Sequence, residues 1–360
     1  MKTQKQIPKK TIAFPRMGNY DIPAKYLLTN IFGANIQKIP AITNQTIELG
    51  TRYSPEFVCT PFKYTIGTLI ESLESGANIL IQAGGGCRYG YYSELQEQIL
   101  KDMGYEFQFI NLMSKGQKKL KKIYQELKKV DYNLNIIKVM YYIIITIKMV
   151  KYMDKVDDYI RQNIGFEVKQ NSFINIQKEM LNSFLTTKSN LGLYLKYRYY
   201  FKKIKKVKIN KPQNHLKIGL IGELYTLMEP FSNYELEREL ASYGMSIKRY
   251  TNVYYLLFQK GRMANKYVKY AKEYITYKLG ADAADNIGRT KYLCKHNYDG
   301  IIHIKSTFCT PEIGAMPIIN KICQEHKMPL LFFSFDSNTS EVGIKTRVEA
   351  FYDMIEGKKQ

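Results

Sequence analysis

Ile79-Leu-Ile-Gln-Ala-Gly-Gly-Gly-Cys87 and Ile301-Ile-His-Ile-Lys-Ser-Thr-Phe-Cys309 are two stretches in which a short apolar run leads into a cysteine. Short runs rich in β-branched residues and bounded by turn-forming residues are typical of buried strands in parallel sheets. In an open parallel sheet, ligands bind beyond the carboxyl ends of the strands. Both cysteines are therefore expected at the functional edge of two similar sheets.

The first third of the chain alternates β-rich runs with helical patterns. The predicted strands are Thr11–Phe14, Ile36–Ile39, Ile79–Gln82 and Phe107–Ile110. The predicted helices, with apolar residues at three-to-four spacing, are Ile22–Phe32, Phe62–Ser75 and Tyr91–Met103. This succession predicts a mostly parallel sheet covered by helices on both faces.

The last third of the chain repeats this plan. Its predicted strands are Leu216–Ile221, Ser246–Tyr250, Ile301–Ile304 and Leu330–Ser334. Helical patterns cover Glu235–Tyr243, Gln259–Leu279 and Ile313–His326, and a final helix is expected from Glu341 through Phe351. The fold class predicted is α/β, with two parallel-sheet lobes.

The middle of the chain is rich in Lys and Tyr, nearly free of Gly and Pro, and periodic like a helix. It predicts a helical connection between the lobes. The predicted domains are an N-terminal α/β lobe over residues 1–113, a helical connecting region over 114–211 and a C-terminal α/β lobe over 212–360.

The net charge of +22 raises the alternative of a nucleic-acid-binding protein. The basic residues are spread along the chain, mostly as Lys beside Ile, Asn and Tyr, a usage that often reflects genome composition. Lys115–Lys129 and Lys196–Lys208 are the densest basic stretches, so a polyanion-binding surface would be expected there. We favour the interpretation of these stretches as solvated helix faces, without nucleic acid.

Targeting and membrane signals are absent from the sequence. The Lys-rich N-terminus lacks a sustained apolar segment, and the most apolar stretch, Val139–Ile147, is far shorter than the roughly 20 residues that span a bilayer. We therefore expect a cytoplasmic protein without membrane contact. Five cysteines in such a compartment favour thiolate chemistry or metal ligation over disulfides.

Cys59 and Cys309 share the local sequence Cys-Thr-Pro, which fixes the backbone just after the thiol. The glycines Gly84, Gly85 and Gly86 precede Cys87, and they leave room and free amide N–H groups for a bulky inorganic ligand. Each cysteine taken alone is equally well explained as a small buried residue at a strand end. Cys294 and Cys323 are assigned to such packing roles.

Several familiar catalytic patterns are missing. The glycines around Cys87 do not match Gly-x-Gly-x-x-Gly, and no phosphate-binding loop ending in Gly-Lys-Ser/Thr occurs, which disfavours nucleotide hydrolysis by this chain. The four histidines form no zinc or triad pattern. Glu56, Glu223 and Glu312 remain candidates for acid–base roles, with surface or capping roles as the alternative.

Motifs in both predicted lobes carry a resemblance to a known family. They are Phe14-Pro-Arg-Met-Gly-Asn-Tyr20, Tyr53-Ser-Pro-Glu-Phe-Val-Cys-Thr-Pro-Phe-Lys63, Gly84-Gly-Gly-Cys-Arg-Tyr-Gly-Tyr-Tyr92, Gly222-Glu-Leu-Tyr225, Glu229-Pro-Phe-Ser-Asn233, Phe308-Cys-Thr-Pro-Glu312 and Thr346-Arg-Val-Glu-Ala-Phe351. In this order they resemble the 2-hydroxyacyl-CoA dehydratase component family, and most closely its acyl-CoA dehydratase activase-related branch.

The resemblance implies two flavodoxin-like lobes with a 4Fe-4S cluster held at the inter-lobe cleft by Cys59, Cys87 and Cys309. It also implies a separate ATP-hydrolysing activator protein with its own iron–sulfur cluster, and a homologous dehydratase subunit as a further partner. The implied activity is that of a lyase of anaerobic metabolism that eliminates water from an acyl-CoA by a radical mechanism. No catalytic side chain is assigned.

Some relatives carry a double-cubane cluster, which needs more cysteine ligands than the five present here. Besides the nucleic-acid alternative, two hypotheses assign an iron–sulfur cluster to this chain. The chain is either the iron–sulfur component of an ATP-activated dehydratase-like reductive system, or a non-catalytic cluster-bearing subunit for electron transfer or activator docking.

Overall fold

The structure is a computed structural model that describes residues 10–33, 35–37, 39–84, 88–112, 120–277 and 279–358. The chain divides into two compact units. The first comprises the described residues of Met1–Val58 and Phe62–Thr146, and the second those of Cys59–Pro61 and Ile147–Gln360. The short segment around Cys59 thus belongs to the second unit.

The first unit is built on a parallel sheet with strand order β2-β1-β3-β4. Its strands are β1 (Thr11–Ala13), β2 (Asn35–Ile36), β3 (Ile79–Gln82) and β4 (Gln108–Asn111). The helices are α1 (Asp21–Phe32), α2 (Asn44–Tyr53), α3 (Thr60–Glu74), which begins in the second unit, α4 (Tyr92–Asp102) and α5 (Leu120–Lys128). Helix α6 (Ile136–Asn163) runs from the first unit into the second.

The second unit holds the other parallel sheet, with strand order β6-β5-β7-β8. Its strands are β5 (Lys217–Gly222), β6 (Ser246–Arg249), β7 (Gly300–Ser306) and β8 (Leu330–Phe335). Its helices are α7 (Ser172–Leu185), α8 (Asn190–Lys205), α9 (Leu224–Met228), α10 (Leu236–Ser242), α11 (Lys260–Ala271), α12 (Ala283–Cys294), α13 (Thr310–Glu325) and α14 (Glu341–Gly357).

The predicted fold class is confirmed. Both sheets are entirely parallel, have the same strand order, and carry helices in the flavodoxin-like arrangement. Every predicted strand lies within a few residues of an observed one, because β-branched runs bounded by turn residues are the clearest local strand signal. The division into residues 1–113, 114–211 and 212–360 stays a prediction.

Helix α12 was missed by the sequence prediction. The helix predicted over Gln259–Leu279 instead ends at Ala271, and a new one starts at Ala283. The apolar periodicity of α12 is weak because polar side chains along it, among them Asn286 and Arg289, are buried rather than exposed. Helix α2 was also missed, since its start is polar and is fixed by a capping box between Thr43 and Thr46.

The predicted packing roles of Cys294 and Cys323 agree with the core of the second unit. Cys323 is buried beside Ile319 and Ile322, and Cys294 packs against the same cluster. The described part of the chain contains no helix that is both long and apolar enough to cross a membrane.

Gly222, the last residue of β5, offers a test of this sheet. Its φ is +141°, and a Cβ there would collide with the carbonyl oxygen of Ile304 on β7. We expect Gly222→Ala to lower the free energy of unfolding by about 2 to 5 kcal/mol, through backbone strain and overpacking. Urea denaturation followed by circular dichroism measures the change.

Gly343 in α14 is the matched control, because only Ser340 lies within van der Waals distance of an added Cβ. Gly343→Ala should leave stability unchanged or raise it by up to about 1 kcal/mol. Equal effects of the two substitutions would contradict the packing of β5 against β7.

Candidate functional site

Two of the three predicted ligand cysteines lie in the second unit. Cys309 follows β7 and is the N-cap residue of α13, while Cys59 directly precedes α3. Both are half-buried, and none of the four described cysteines forms a disulfide. Gly84 is buried just after β3, whereas Gly85, Gly86 and Cys87 lie outside the described residues.

Ser306, the last residue of β7, brings the two cysteine segments together. Its hydroxyl accepts the backbone N–H of Thr60 (2.8 Å) and lies 3.0 Å from the Thr60 hydroxyl. The Thr60 hydroxyl in turn donates to the carbonyl of Phe335 at the end of β8 (3.0 Å). The carbonyl of Ser306 accepts the backbone N–H of Cys309 (3.0 Å). One fully buried serine thus anchors the residue after Cys59 and the turn that carries Cys309.

The thiol of Cys309 is largely buried and is influenced by nearby negatively charged groups. Burial raises the pKa of this thiol well above its ordinary value, and the carboxylates of Glu223 and Glu312 and the thiol of Cys59 raise it further. The backbone N–H of Glu312, which donates to the sulfur, acts in the opposite direction. This donor belongs to the first turn of α13, where backbone N–H groups have no partner within the helix. A metal ion bound at the sulfur would supply the positive charge that the thiolate needs.

Glu312 is the centre of a buried polar network behind Cys309. One of its carboxylate oxygens lies 2.7 Å from Nε2 of His303, and the other accepts the side-chain N–H of Asn286 (3.0 Å). Asn286 also donates to the carbonyl of Gly222 and accepts from the guanidinium of Arg289. His303, Asn286, Arg289 and Glu312 are all fully buried. Their mutual bonds satisfy much of the polar surface that folding removes from water.

Arg289 is held mainly by aromatic rings. Its guanidinium carbon lies 4.8 Å from the ring centroid of Tyr255, and the rings of Tyr250 and Tyr267 lie within 6 Å. Thr251 accepts one N–H at 2.8 Å, while Nε and Nη2 have no partner among the described residues. Cation–π attraction is strongest where water is excluded, so these rings help to compensate the buried charge.

The three candidate acid–base carboxylates have different surroundings. Glu56 is exposed. Glu223 is buried and caps α9 by accepting the N–H groups of Tyr225 and Thr226, and burial raises its pKa. Glu312 is fully buried and is hydrogen-bonded to His303 and Asn286. Glu223 therefore has the capping role, and Glu56 the surface position, that the alternative interpretation predicted, whereas Glu312 is buried in a polar network and has neither.

The sequence prediction missed five buried polar side chains of α12 and β7: Asn286, Arg289, His303, Lys305 and Ser306. A signal for three of them was present. His303, Lys305 and Ser306 interrupt the apolar run Ile301-Ile-His-Ile-Lys-Ser306, and polar residues in a strand buried on both faces need a specific reason. Asn286 and Arg289 gave no such signal, since polar residues are ordinary on an amphipathic helix.

The donor set at this edge suits an iron–sulfur cluster, since cysteine thiolates are the usual ligands of such clusters. The structure brings Cys59 and Cys309 to one sheet edge and gives Cys309 a backbone N–H donor. Within the described ranges, no group of three or more His, Cys, Asp or Glu side chains is arranged to hold a metal ion. A complete site would need Cys87, which lies outside those ranges.

The bond between Ser306 and Thr60 is testable in the metal-free protein. Dibromobimane, a short thiol–thiol crosslinker, is expected to join Cys59 to Cys309. Ser306→Ala should reduce the yield several-fold, because the Thr60 N–H loses a buried partner worth about 1 to 3 kcal/mol. Peptide mass spectrometry measures the yield, and Ser334→Ala on the exposed face of β8 is the control. An unchanged yield in Ser306→Ala would show that Ser306 does not align the two cysteines.

The buried network predicts unequal effects of two substitutions at Glu312. Glu312→Ala leaves His303 and Asn286 without their acceptor and should lower the free energy of unfolding by about 3 to 5 kcal/mol. Glu312→Gln keeps a carbonyl for Asn286, so we expect a loss below about 2 kcal/mol. Urea denaturation measures both, and equal losses would contradict the hydrogen bonds assigned to Glu312.

Part of the second unit is similar to a known family. Residues 241–355 match the family model described as 2-hydroxyglutaryl-CoA dehydratase, D-component. The matched segment includes β6, β7 and β8 and all the polar residues of the Glu312 network, together with Cys309. No curated protein matches the chain. The family match confirms, through residues 241–355, the resemblance of this chain to the 2-hydroxyacyl-CoA dehydratase component family.

Proposed function

We propose that the chain is the iron–sulfur component of an ATP-activated, 2-hydroxyacyl-CoA dehydratase-like reductive system. In this proposal Cys59, Cys87 and Cys309 hold a 4Fe-4S cluster, and Gly84, Gly85 and Gly86 leave room for it. The observation that carries the proposal is the hydrogen bonding of Ser306, which fixes both the Thr60 N–H and the Cys309 N–H at the end of β7. This bonding supports the proposal because it holds the segments of two thiols, which are soft potential ligands, at the carboxyl edge of a sheet with three strands inside the family match.

The chain's own residues would contribute ligation and electrostatics. The thiolates of Cys59 and Cys309 would bind iron, and the Glu312 N–H would donate to the Cys309 sulfur, a contact that helps to set the reduction potential of such clusters. A bound cluster would supply one-electron transfer at low potential.

The proposal includes the partners that the family implies. They are an ATP-hydrolysing activator protein with its own iron–sulfur cluster, a homologous dehydratase subunit, and an acyl-CoA substrate for a lyase reaction by a radical mechanism. A cytoplasmic location suits an oxygen-sensitive cluster of this type.

One observation favours the second candidate, a non-catalytic electron-transfer or activator-docking subunit. His303 and Glu312 are ionisable residues within six positions of Cys309 in the sequence, and both are fully buried and bonded to each other. Groups that exchange protons with a substrate must reach it, so this pair is not placed for acid–base catalysis.

Iron binding tests the proposal. We expect anaerobically reconstituted protein to hold about four irons per chain, and Cys59→Ser and Cys309→Ser each to lose most of that iron. Cys294→Ser, at a half-buried cysteine packed in the core, is the control and should retain it. Iron and sulfide quantification measures the outcome, and iron-free wild-type protein would refute the proposal.

Electron paramagnetic resonance of the reduced protein separates the two candidates. Added acyl-CoA should change the spectrum of a dehydratase-like component, because the substrate binds beside the cluster. A spectrum that does not respond to any acyl-CoA in a panel of chain lengths supports the electron-transfer subunit instead.

A further inference from the structure

The second unit has an open pocket beside the start of α7 and the end of α8, here called the α7–α8 pocket. Its volume is about 330 Å³, and its apolar lining comes from Val168, Ile176 and Val207. The backbone N–H of Val168 donates to the carbonyl of Lys208 (3.0 Å), which joins the segment before α7 to the segment after α8. The pocket shares no residue with the candidate iron site or with the family match over residues 241–355.

Four lysines line the same pocket: Lys169, Lys203, Lys206 and Lys208. The ammonium of Lys203 is bonded to the carboxylate of Glu179 (2.7 Å). The ion pairs found within the described ranges include none of the other three lysines. Three positive charges around one pocket repel one another, and an anion bound between them would relieve this repulsion.

The carboxylate adjacent in sequence to the pocket is engaged elsewhere. Glu167 accepts the backbone N–H groups of Asn171 (2.5 Å) and Phe173 (3.1 Å), and it thereby satisfies donors at the start of α7. The residues that line the pocket, all of them described, include no Asp or Glu. Attraction for an anion would therefore come from the lysine side chains, and no carboxylate in the lining opposes it.

The lining also indicates which class of anion fits. The described residues that form it include no aromatic ring and no arginine, whereas bound nucleobases usually stack on aromatic rings and phosphates often bind arginine in a bidentate manner. Val168 has 67% of its surface exposed, so a ligand that covers it removes apolar area from water. Lysine stems are aliphatic and pack along apolar surfaces. These contacts suit an alkyl chain that carries one negative group.

We propose that the α7–α8 pocket binds a small aliphatic carboxylate. The alkyl chain covers the three apolar side chains, and the carboxylate lies among the three lysines that have no ion pair. The volume is at the lower end of the range for small-molecule sites, which suits one short chain. Binding of this kind depends on both chain length and salt concentration, because the apolar and ionic contributions act together.

Isothermal titration calorimetry of the full chain with octanoate at low salt tests the proposal. We expect saturable binding of one octanoate at this pocket, with an affinity that falls as salt is added. From hexanoate to decanoate the affinity should rise by up to about fourfold for each added CH₂. Acetate supplies the charge without the chain, and 1-octanol supplies the chain without the charge. Absence of saturable octanoate binding, or equally tight binding of 1-octanol, would overturn the inference.

Two matched pairs of substitutions locate the bound octanoate. Lys206→Gln combined with Lys208→Gln removes two charges from the pocket and should raise the Kd for octanoate about three- to tenfold. Lys202→Gln combined with Lys205→Gln changes the net charge equally at exposed positions of α8 that do not line the pocket, so the Kd should stay the same. Circular dichroism establishes that each variant is folded. Equal effects of the two pairs would place the octanoate outside this pocket and refute the proposal.

Two further probes distinguish a small carboxylate from a larger anionic partner. Phosphatidylglycerol vesicles present many anionic headgroups, and a single-stranded oligonucleotide presents a row of phosphates. The pocket variant should weaken octanoate binding more than it weakens binding of either probe. If it weakens the binding of vesicles or oligonucleotide and leaves octanoate unaffected, the lysines form a polyanion-binding surface and the proposal is wrong.

Discussion

The hydrogen bonds of Ser306 are the constraint on which the candidate site depends. A serine that ends a buried strand has one hydroxyl and one carbonyl to satisfy, and burial makes each unsatisfied group unfavourable by about 1 to 3 kcal/mol. Here the hydroxyl holds the segment after Cys59 and the carbonyl holds the turn before α13. Parts of the chain far apart in sequence are thereby fixed at one sheet edge.

Helix α12 contributes the side chains that hold Glu312, three residues after Cys309, in place. Gly288 lets α12 approach the backbone of Tyr267 closely, because a Cβ there would collide with the carbonyl of that tyrosine. The close approach places Asn286 between Glu312 and Arg289, where its amide donates to the first and accepts from the second. A network of this kind stabilises one arrangement only when its members are nearly all satisfied. The first turn of α13, and with it the N–H donor to Cys309, is held in that arrangement.

The sheets were predictable from the sequence, whereas the support of the site was not. Strands such as β3 are signalled by short apolar runs rich in β-branched residues, and the position of Cys309 beyond β7 followed from the rule for parallel sheets. Helix α12 gave no usable signal, because several of its buried side chains are polar and their partners lie in β5, α13 and the segment after β6. The position of Ser306 in a buried run indicated only that the serine needs a polar partner, and only tertiary contacts show that this partner is Thr60. Local sequence encodes propensity and burial, but hydrogen-bond partners far apart in sequence must be seen in the structure.

Corresponding positions in the two sheets hold residues of different polarity. In the strands that lead to Cys87 and Cys309, Ile81 stands where the second sheet has His303, Ala83 where it has Lys305, and Gly84 where it has Ser306. Behind β3 the buried polar contacts are neutral amides and hydroxyls, from Gln82 through Gln96 to Thr65. Charge is thus concentrated on one of two similar strands. Each buried ion carries its own desolvation penalty, so β3, whose buried contacts are neutral, is less costly to bury than β7, which carries His303 and Lys305.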